Sequence, residues 1–178
     1  MTLSENFVIN QLKAKDATTL HLFLFNNTDR LSKFFPLTLS SNETIEKSVA
    51  YIEEKNNEIE RKVNFTFAIK ELDTQKIAGL IIIKKIDWED KIGELAYCIG
   101  SDFEGKGLVT KAVKAISGFA YDELDLKTLQ IIAHKTNLGS VKVAQKCDFI
   151  WKRTLLNEFT PVGEPPLDME LYEHTNVK

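Results

Sequence analysis

Residues 94–113 read E-L-A-Y-C-I-G-S-D-F-E-G-K-G-L-V-T-K-A-V. A strand from Lys91 to Gly100 runs into a loop that holds three of the chain's eight glycines, Gly100, Gly105 and Gly107. A helix opens behind the loop and reaches about Leu124, with Leu108, Ala112, Ala115, Ile116, Phe119 and Ala120 on or near one face. Glycine lets backbone N–H groups come close to an anion, and the helix N-terminus adds partial positive charge. A tight strand-to-helix turn would look the same in isolation.

The elements on either side decide the architecture. Upstream, Val63–Glu71 alternates Val63, Phe65, Phe67 and Ile69 with polar partners, as a half-buried strand does, and Lys76–Asp87 is a more fully buried one. The turns at Asp73–Gln75 and Asp90–Lys91 are too short for anything but antiparallel pairing. Before them come a strand at Phe7–Leu12 and a helix capped by Asp16 that carries Leu20, Leu22, Phe23 and Leu24. An irregular stretch follows at Arg30–Ser41, with Phe34 and Phe35 exposed. A capping box at Ser40–Glu43 then opens a long helix striped by Ile45, Val49, Ile52 and Ile59. Downstream lie a strand at Thr128–His134, a short helix at Ser140–Cys147, and strands at Phe149–Phe159 and Leu167–His174 joined by the loop Thr160–Pro166. This order predicts one α/β (α+β) domain over residues 1–178. Its mixed, mostly antiparallel central sheet has about seven strands flanked by helices.

Composition excludes several function classes. At 178 residues, 43% hydrophobic and 28% charged, the chain can bury roughly 70% of its unfolded surface without a disulfide or metal staple. The net charge is −3 and Arg30, Arg61 and Arg153 are the only arginines, which argues against nucleic-acid binding. Cys98 and Cys147 lack metal-ligand spacing, so no metal site is expected and both read as buried thiols in a reducing compartment. No basic-then-apolar leader opens the chain, and its longest apolar run, Ile77–Ile83, cannot span a bilayer. The expectation is a cytoplasmic protein with no membrane partner. A homodimer is left open.

Two nucleotide motifs nearly fit the glycine loop and fail. Gly100, Gly105 and Lys106 match a P-loop, but Gly107 stands where the magnesium-holding hydroxyl belongs. Gly105–Thr110 falls short of the dinucleotide fingerprint and follows an antiparallel meander rather than opening a parallel β-α-β unit.

The whole stretch from Glu94 resembles the acetyl-CoA loop of GCN5-related N-acetyltransferases (GNAT). The segment N-L-G-S-V-K-V-A-Q-K-C-D-F at 137–149 resembles that family's second motif. Within the superfamily the pattern is similar to the RimJ/RimL branch, acetyltransferases of ribosomal-protein N-termini and their relatives. The order of elements agrees from Phe7 to Tyr172, and the specific motifs cover Glu94–Phe149. The family loop usually begins R/Q and ends G/A where this chain has Glu104 and Val109, and Asp148 replaces a glycine.

The resemblance implies direct transfer of an acetyl group from acetyl-CoA to a primary amine. The acceptor would be a protein N-terminus or a small molecule such as an antibiotic, polyamine or amino acid. A CoA-binding protein without turnover is the rival from another class. Glu94, Ala96 and Cys98 share one face of their strand, so a carboxylate beside two small residues has room for a thioester and an amine. Glu94 is the candidate base. Backbone N–H groups of Gly105, Lys106, Gly107, Leu108 and Val109 would bind the pyrophosphate. Those of Tyr97, Cys98 and Ile99 would hold the pantetheine or the thioester oxygen, and Asn137 would fix the pantetheine or form an Asx turn. Many relatives use a tyrosine to protonate the thiolate, and Ala144 stands at that position. Ser140 is the substitute the resemblance suggests, with a helix N-cap its structural alternative. Tyr172 is a weaker acid candidate, His134 reads first as structural, and Cys98 reads as a buried thiol rather than a nucleophile. Phe34, Phe35 and the Thr160–Pro166 loop would flank the acceptor.

Overall fold

The structure, a computed structural model, describes residues 1–176. Its strands are β1 (Thr2–Ser4), β2 (Phe7–Gln11), β3 (Phe65–Glu71), β4 (Ile77–Asp87), β5 (Ile92–Ile99), β6 (Thr128–Ala133), β7 (Ile150–Phe159) and β8 (Leu167–Thr175). Its helices are α1 (Ala17–Asn26), α2 (Thr28–Leu31), α3 (Pro36–Ser40), α4 (Ile45–Glu60), α5 (Leu108–Asp122) and α6 (Leu138–Lys146). The strands form one mixed sheet in the order β1-β2-β3-β4-β5-β6-β8-β7. The strand missing from the expected seven is β1, three residues pairing antiparallel with β2 through Thr2↔Val8 and Ser4↔Phe7. It is too short to show a period.

The chain groups into two compact units, one of Met1–Ile82 with Tyr97–Leu108, the other of Ile83–Ala96 with the chain from Val109 onward. In the first, Leu12, Leu20, Phe23, Leu24, Ile52 and Leu80 build the core. Here β3 is buried from Phe65 through Lys70, so the half-buried reading of that segment is corrected: both faces are covered. Its alternation came from Thr66 and Lys70, polar residues that nonetheless lie inside. Lys70 is tolerated there because it pairs with the equally buried Asp16. Asp16 therefore does not cap α1 through its side chain. The carboxylate instead takes the Lys13 N–H at 2.7 Å and the Lys70 ammonium.

Four further expectations shift in this unit. The irregular stretch holds the short helices α2 and α3, with Pro36 opening α3 where its fixed φ costs nothing. Phe34 and Phe35 are half-buried, and Phe35 packs on the core. The long helix is capped by Thr44, whose hydroxyl accepts the Lys47 N–H at 3.2 Å. Its buried face is Ser48, Tyr51 and Ile52, while Ile45 and Val49 are 41% and 42% exposed. The stripe was drawn through aliphatic residues alone, and Tyr51 turns the true face to one side of it.

In the second unit β6 buries alternate residues, Leu129, Ile131 and Ala133. Along α5, Ala112, Val113, Ile116 and Ala120 are fully buried at helical spacing. The β5–β6 ladder is parallel and runs from Ile92↔Thr128 to Leu95↔Ile131, whereas β5 itself continues to Ile99. The edge strand β7 pairs antiparallel with β8 and is exposed along most of its length. Its register shifts between Leu155 and Phe159, around Asn157 at φ 53°.

Candidate active site

In the first unit, β5 ends against two anchors. The Gly100 N–H donates to the Ala78 carbonyl at 2.8 Å, and the Ser101 N–H donates to Asn27 Oδ1 at 3.0 Å. Asn27, itself buried, donates its Nδ2 to the Phe23 carbonyl at 2.8 Å, so the loop is tied to the end of α1. A 3₁₀ turn, Ser101–Phe103, follows. Gly105 and Gly107 take φ of 72° and 71°, where an L side chain would be strained by roughly 1 kcal/mol. A Cβ at either would meet nothing within 4 Å. Backbone conformation, not crowding, requires glycine here, and the space in front is open.

Charge around this loop is balanced. Glu104 is ion-paired with Arg30 of α2, and Lys106 lies over the Phe103 ring at 5.2 Å. Phe103 in turn meets Phe7 edge-on at 5.9 Å. Exposed loop backbone with two cations beside it fits an anionic phosphate ligand. Leu108, at the start of α5, is 4% exposed. On β5, burial pushes the Cys98 thiol up to about 12, which leaves it neutral and unsuited to attack. Opposite it, a Cβ added at Gly79 would sit 2.4 Å from the Cys98 carbonyl oxygen.

In the second unit, Glu94 is 7% exposed on a central strand, not solvated on an edge. Lys84 Nζ stands 2.9 Å from Oε1 and Lys85 Nζ 3.1 Å from Oε2. Consecutive strand residues normally point to opposite faces. Lys85 has φ 49°, a left-handed residue inside β4 that breaks the alternation and lets both ammonium groups reach one carboxylate. Lys85 also lies 3.7 Å from Glu158. Partial burial would lower its pKa, but Glu94 and Glu158 outweigh burial and hold it above the ordinary lysine value.

Sequence reasoning missed Lys84, Lys85, Glu158 and Arg30. The Lys84–Lys85 pair at the end of an apolar strand was the visible signal, but the left-handed Lys85 backbone that gathers both lysines was not.

The same unit resolves the cap question at α6. Asn137 is the N-cap, its Oδ1 accepting the Ser140 N–H at 3.1 Å. Ser140 stands three residues into the motif and is not the cap, so that alternative is corrected. His134 Nδ1 lies 2.7 Å from Thr136 Oγ1 and accepts the Thr136 N–H at 3.3 Å, a local turn contact. Tyr172 is buried, and burial with the nearby Glu170 raises its phenol pKa. Ala144 is fully buried. Of the sequence candidates, Tyr97, Cys98, Ile99, Gly105, Lys106, Gly107 and Leu108 thus fall in the first unit, and Glu94, Val109, Asn137 and Ser140 in the second.

Residues 6–150 match the family model of the acetyltransferase (GNAT) domain. The chain belongs to the GNAT family. It is an N-acetyltransferase by that membership, and the co-substrate of the family's reaction is acetyl-CoA. Among curated relatives of this GNAT chain is YdaF of Bacillus subtilis, provisionally named a ribosomal N-acetyltransferase. It is 28% identical over 83% of this chain and 80% of its own length. The spermidine N(1)-acetyltransferase of Escherichia coli is 29% identical over 54% of this chain and 51% of its own length. Among solved structures, RimL, a ribosomal L7/L12 alpha-N-protein acetyltransferase in complex with coenzyme A, superposes with a TM-score of 0.86. That match has 15% identity and covers 98% of this chain and 96% of RimL.

Among the described residues no helix is long and apolar enough to cross a membrane, and no group of three metal-ligating side chains gathers.

Proposed function

We propose that this enzyme acetylates a protein N-terminus by direct transfer, with Glu94 taking the amine's proton. The observation that carries the reading is Glu94 itself, a carboxylate 7% exposed with a lysine on each oxygen. Those lysines pair with both of its oxygens and balance its charge locally. An incoming ammonium competes with Lys85, whose side chain is 62% exposed, and leaves its proton on Oε2 directly or through one water. Acetyl-CoA supplies the thioester whose acetyl group passes to the neutral amine.

Other residues take supporting roles. Backbone N–H groups of Gly105, Lys106, Gly107, Leu108 and Val109 receive the pyrophosphate. Those of Tyr97 and Ile99, past the last β6 partner of their strand, hold the pantetheine and the carbonyl oxygen where negative charge develops, while the Cys98 N–H, like that of Gly100, faces β4. Asn137 spends its Oδ1 on α6, so its Nδ2 is the group that reaches pantetheine. With Ala144 at the tyrosine position, the Ser140 hydroxyl gives its proton to the departing thiolate and regains one from the second proton that the nitrogen sheds as the amide forms.

The acceptor class rests on the RimL and YdaF likenesses, and a ribosomal acceptor implies a cytoplasmic enzyme. The spermidine enzyme supplies the competing substrate. Incubation with acetyl-CoA and either N-terminal peptides beginning Ser, Ala or Met, or spermidine, followed by mass spectrometry, tests this. A 42-Da gain on a peptide α-amine at a kcat/KM at least tenfold above that for spermidine is expected. The opposite order assigns the enzyme to small amines.

A further inference from the structure

A carboxylate directly before a phosphate-binding loop repels the ligand unless something reverses its field. Glu104 occupies that place, immediately before Gly105. Two contacts of equal sequence separation, 74 residues, join this loop to the segment after α1: Asn27 with Ser101 and Arg30 with Glu104. The segment therefore lies along the loop in register. Asn27 is buried and bonded at both ends of its amide, which fixes the register and delivers Arg30 to the loop.

The Arg30 contact runs from one terminal nitrogen to one carboxylate oxygen. A guanidinium has five N–H donors in a planar fork, enough to serve a carboxylate and a phosphate together. Arg30 and Glu104 side chains are 41% and 52% exposed, so the pair contributes little to folding by itself. Its value lies in placement.

Resting on the acetyl-CoA reading of the loop, we propose that Arg30 is a phosphate ligand of the co-substrate, carried in from α2 and aimed by Glu104. The charge that the loop lacks in its own sequence is supplied by a residue 74 positions earlier. Glu104 then acts as the positioning residue for Arg30, and Lys106 is the loop's second cation.

The rival account is that Arg30 merely cancels Glu104. Calorimetric titration of acetyl-CoA into wild type, Arg30→Ala, Glu104→Gln and the double variant separates the two. A phosphate ligand predicts a Kd weakened about ten- to a hundredfold in Arg30→Ala. It also predicts a further loss of severalfold or more when Arg30→Ala is added to Glu104→Gln, because the Gln amide oxygen still accepts from the guanidinium and keeps part of its placement. Equal Kd values for Glu104→Gln and the double variant would overturn the role of Arg30. Acetyl-pantetheine, which carries no phosphate, should bind wild type and Arg30→Ala alike, and a parallel loss with that probe would also overturn it. Wild type failing to bind acetyl-CoA would overturn the cofactor reading and this proposal together, a result distinct from the others. Because both side chains are exposed, unliganded melting temperatures of the variants should match wild type, which separates lost binding from lost folding.

Discussion

At the scale of single residues, the structure separates side chains that can react from those that only pack. Cys98 and Cys147 are both buried, and burial pushes their thiols up to about 12 and about 11, with Lys114 pulling slightly against it at Cys147. A raised pKa means that the folded state holds the proton more tightly. The thiols' contribution to stability is thus complete below the unfolded value of roughly 8.5 and is lost as pH rises through the folded values. At pH 8 neither thiol should react with Ellman's reagent in native protein, and both should react within minutes in 6 M guanidinium. A thiol titrating rapidly in native protein would reopen Cys98 as a nucleophile. Their inertness was legible from apolar neighbours in the sequence. The Lys84–Lys85 clamp on Glu94 was not, because it depends on one left-handed φ that lysine seldom adopts.

Elements show where reading by period succeeds. Strands with β-branched and aromatic residues between turn signals were placed within a residue or two: β4 begins at Ile77 where Lys76 was expected, and β5 spans Ile92–Ile99 inside the expected Lys91–Gly100. Helix α5 was legible for the same reason, its apolar residues recurring at three and four. Caps were harder. Several Ser, Thr and Asn residues crowd each helix start, and only the bond itself chooses among them: Thr44 over Ser40 for α4, and Asn137 over Ser140 for α6. That choice carries a test. Asn137→Ala should cost about 1 kcal/mol in urea unfolding, as loss of an N-cap does. Ser140→Ala should leave stability within about 0.5 kcal/mol while lowering turnover. Equal destabilisation by the two would return Ser140 to a capping role.

For the molecule as a whole, the glycine loop between an antiparallel meander and an amphipathic helix, together with the second motif at 137–149, was enough to read the family, and the family model spans 6–150. The buried Asp16–Lys70 pair and the fully covered β3 stayed hidden, since a lysine in an alternating strand reads as a solvent-facing position until its partner is located. Arg30 stayed hidden for a related reason: its partner lies 74 residues away, beyond any local pattern. In the proposed mechanism the chemistry turns on Glu94, a buried carboxylate with a lysine on each oxygen. The most direct test is the steady-state kinetics of Glu94→Gln beside its affinity for acetyl-CoA. The account predicts a fall in kcat/KM of roughly 10²–10⁴-fold with an unchanged Kd for the co-substrate. Turnover within threefold of wild type would contradict the role of Glu94 as base.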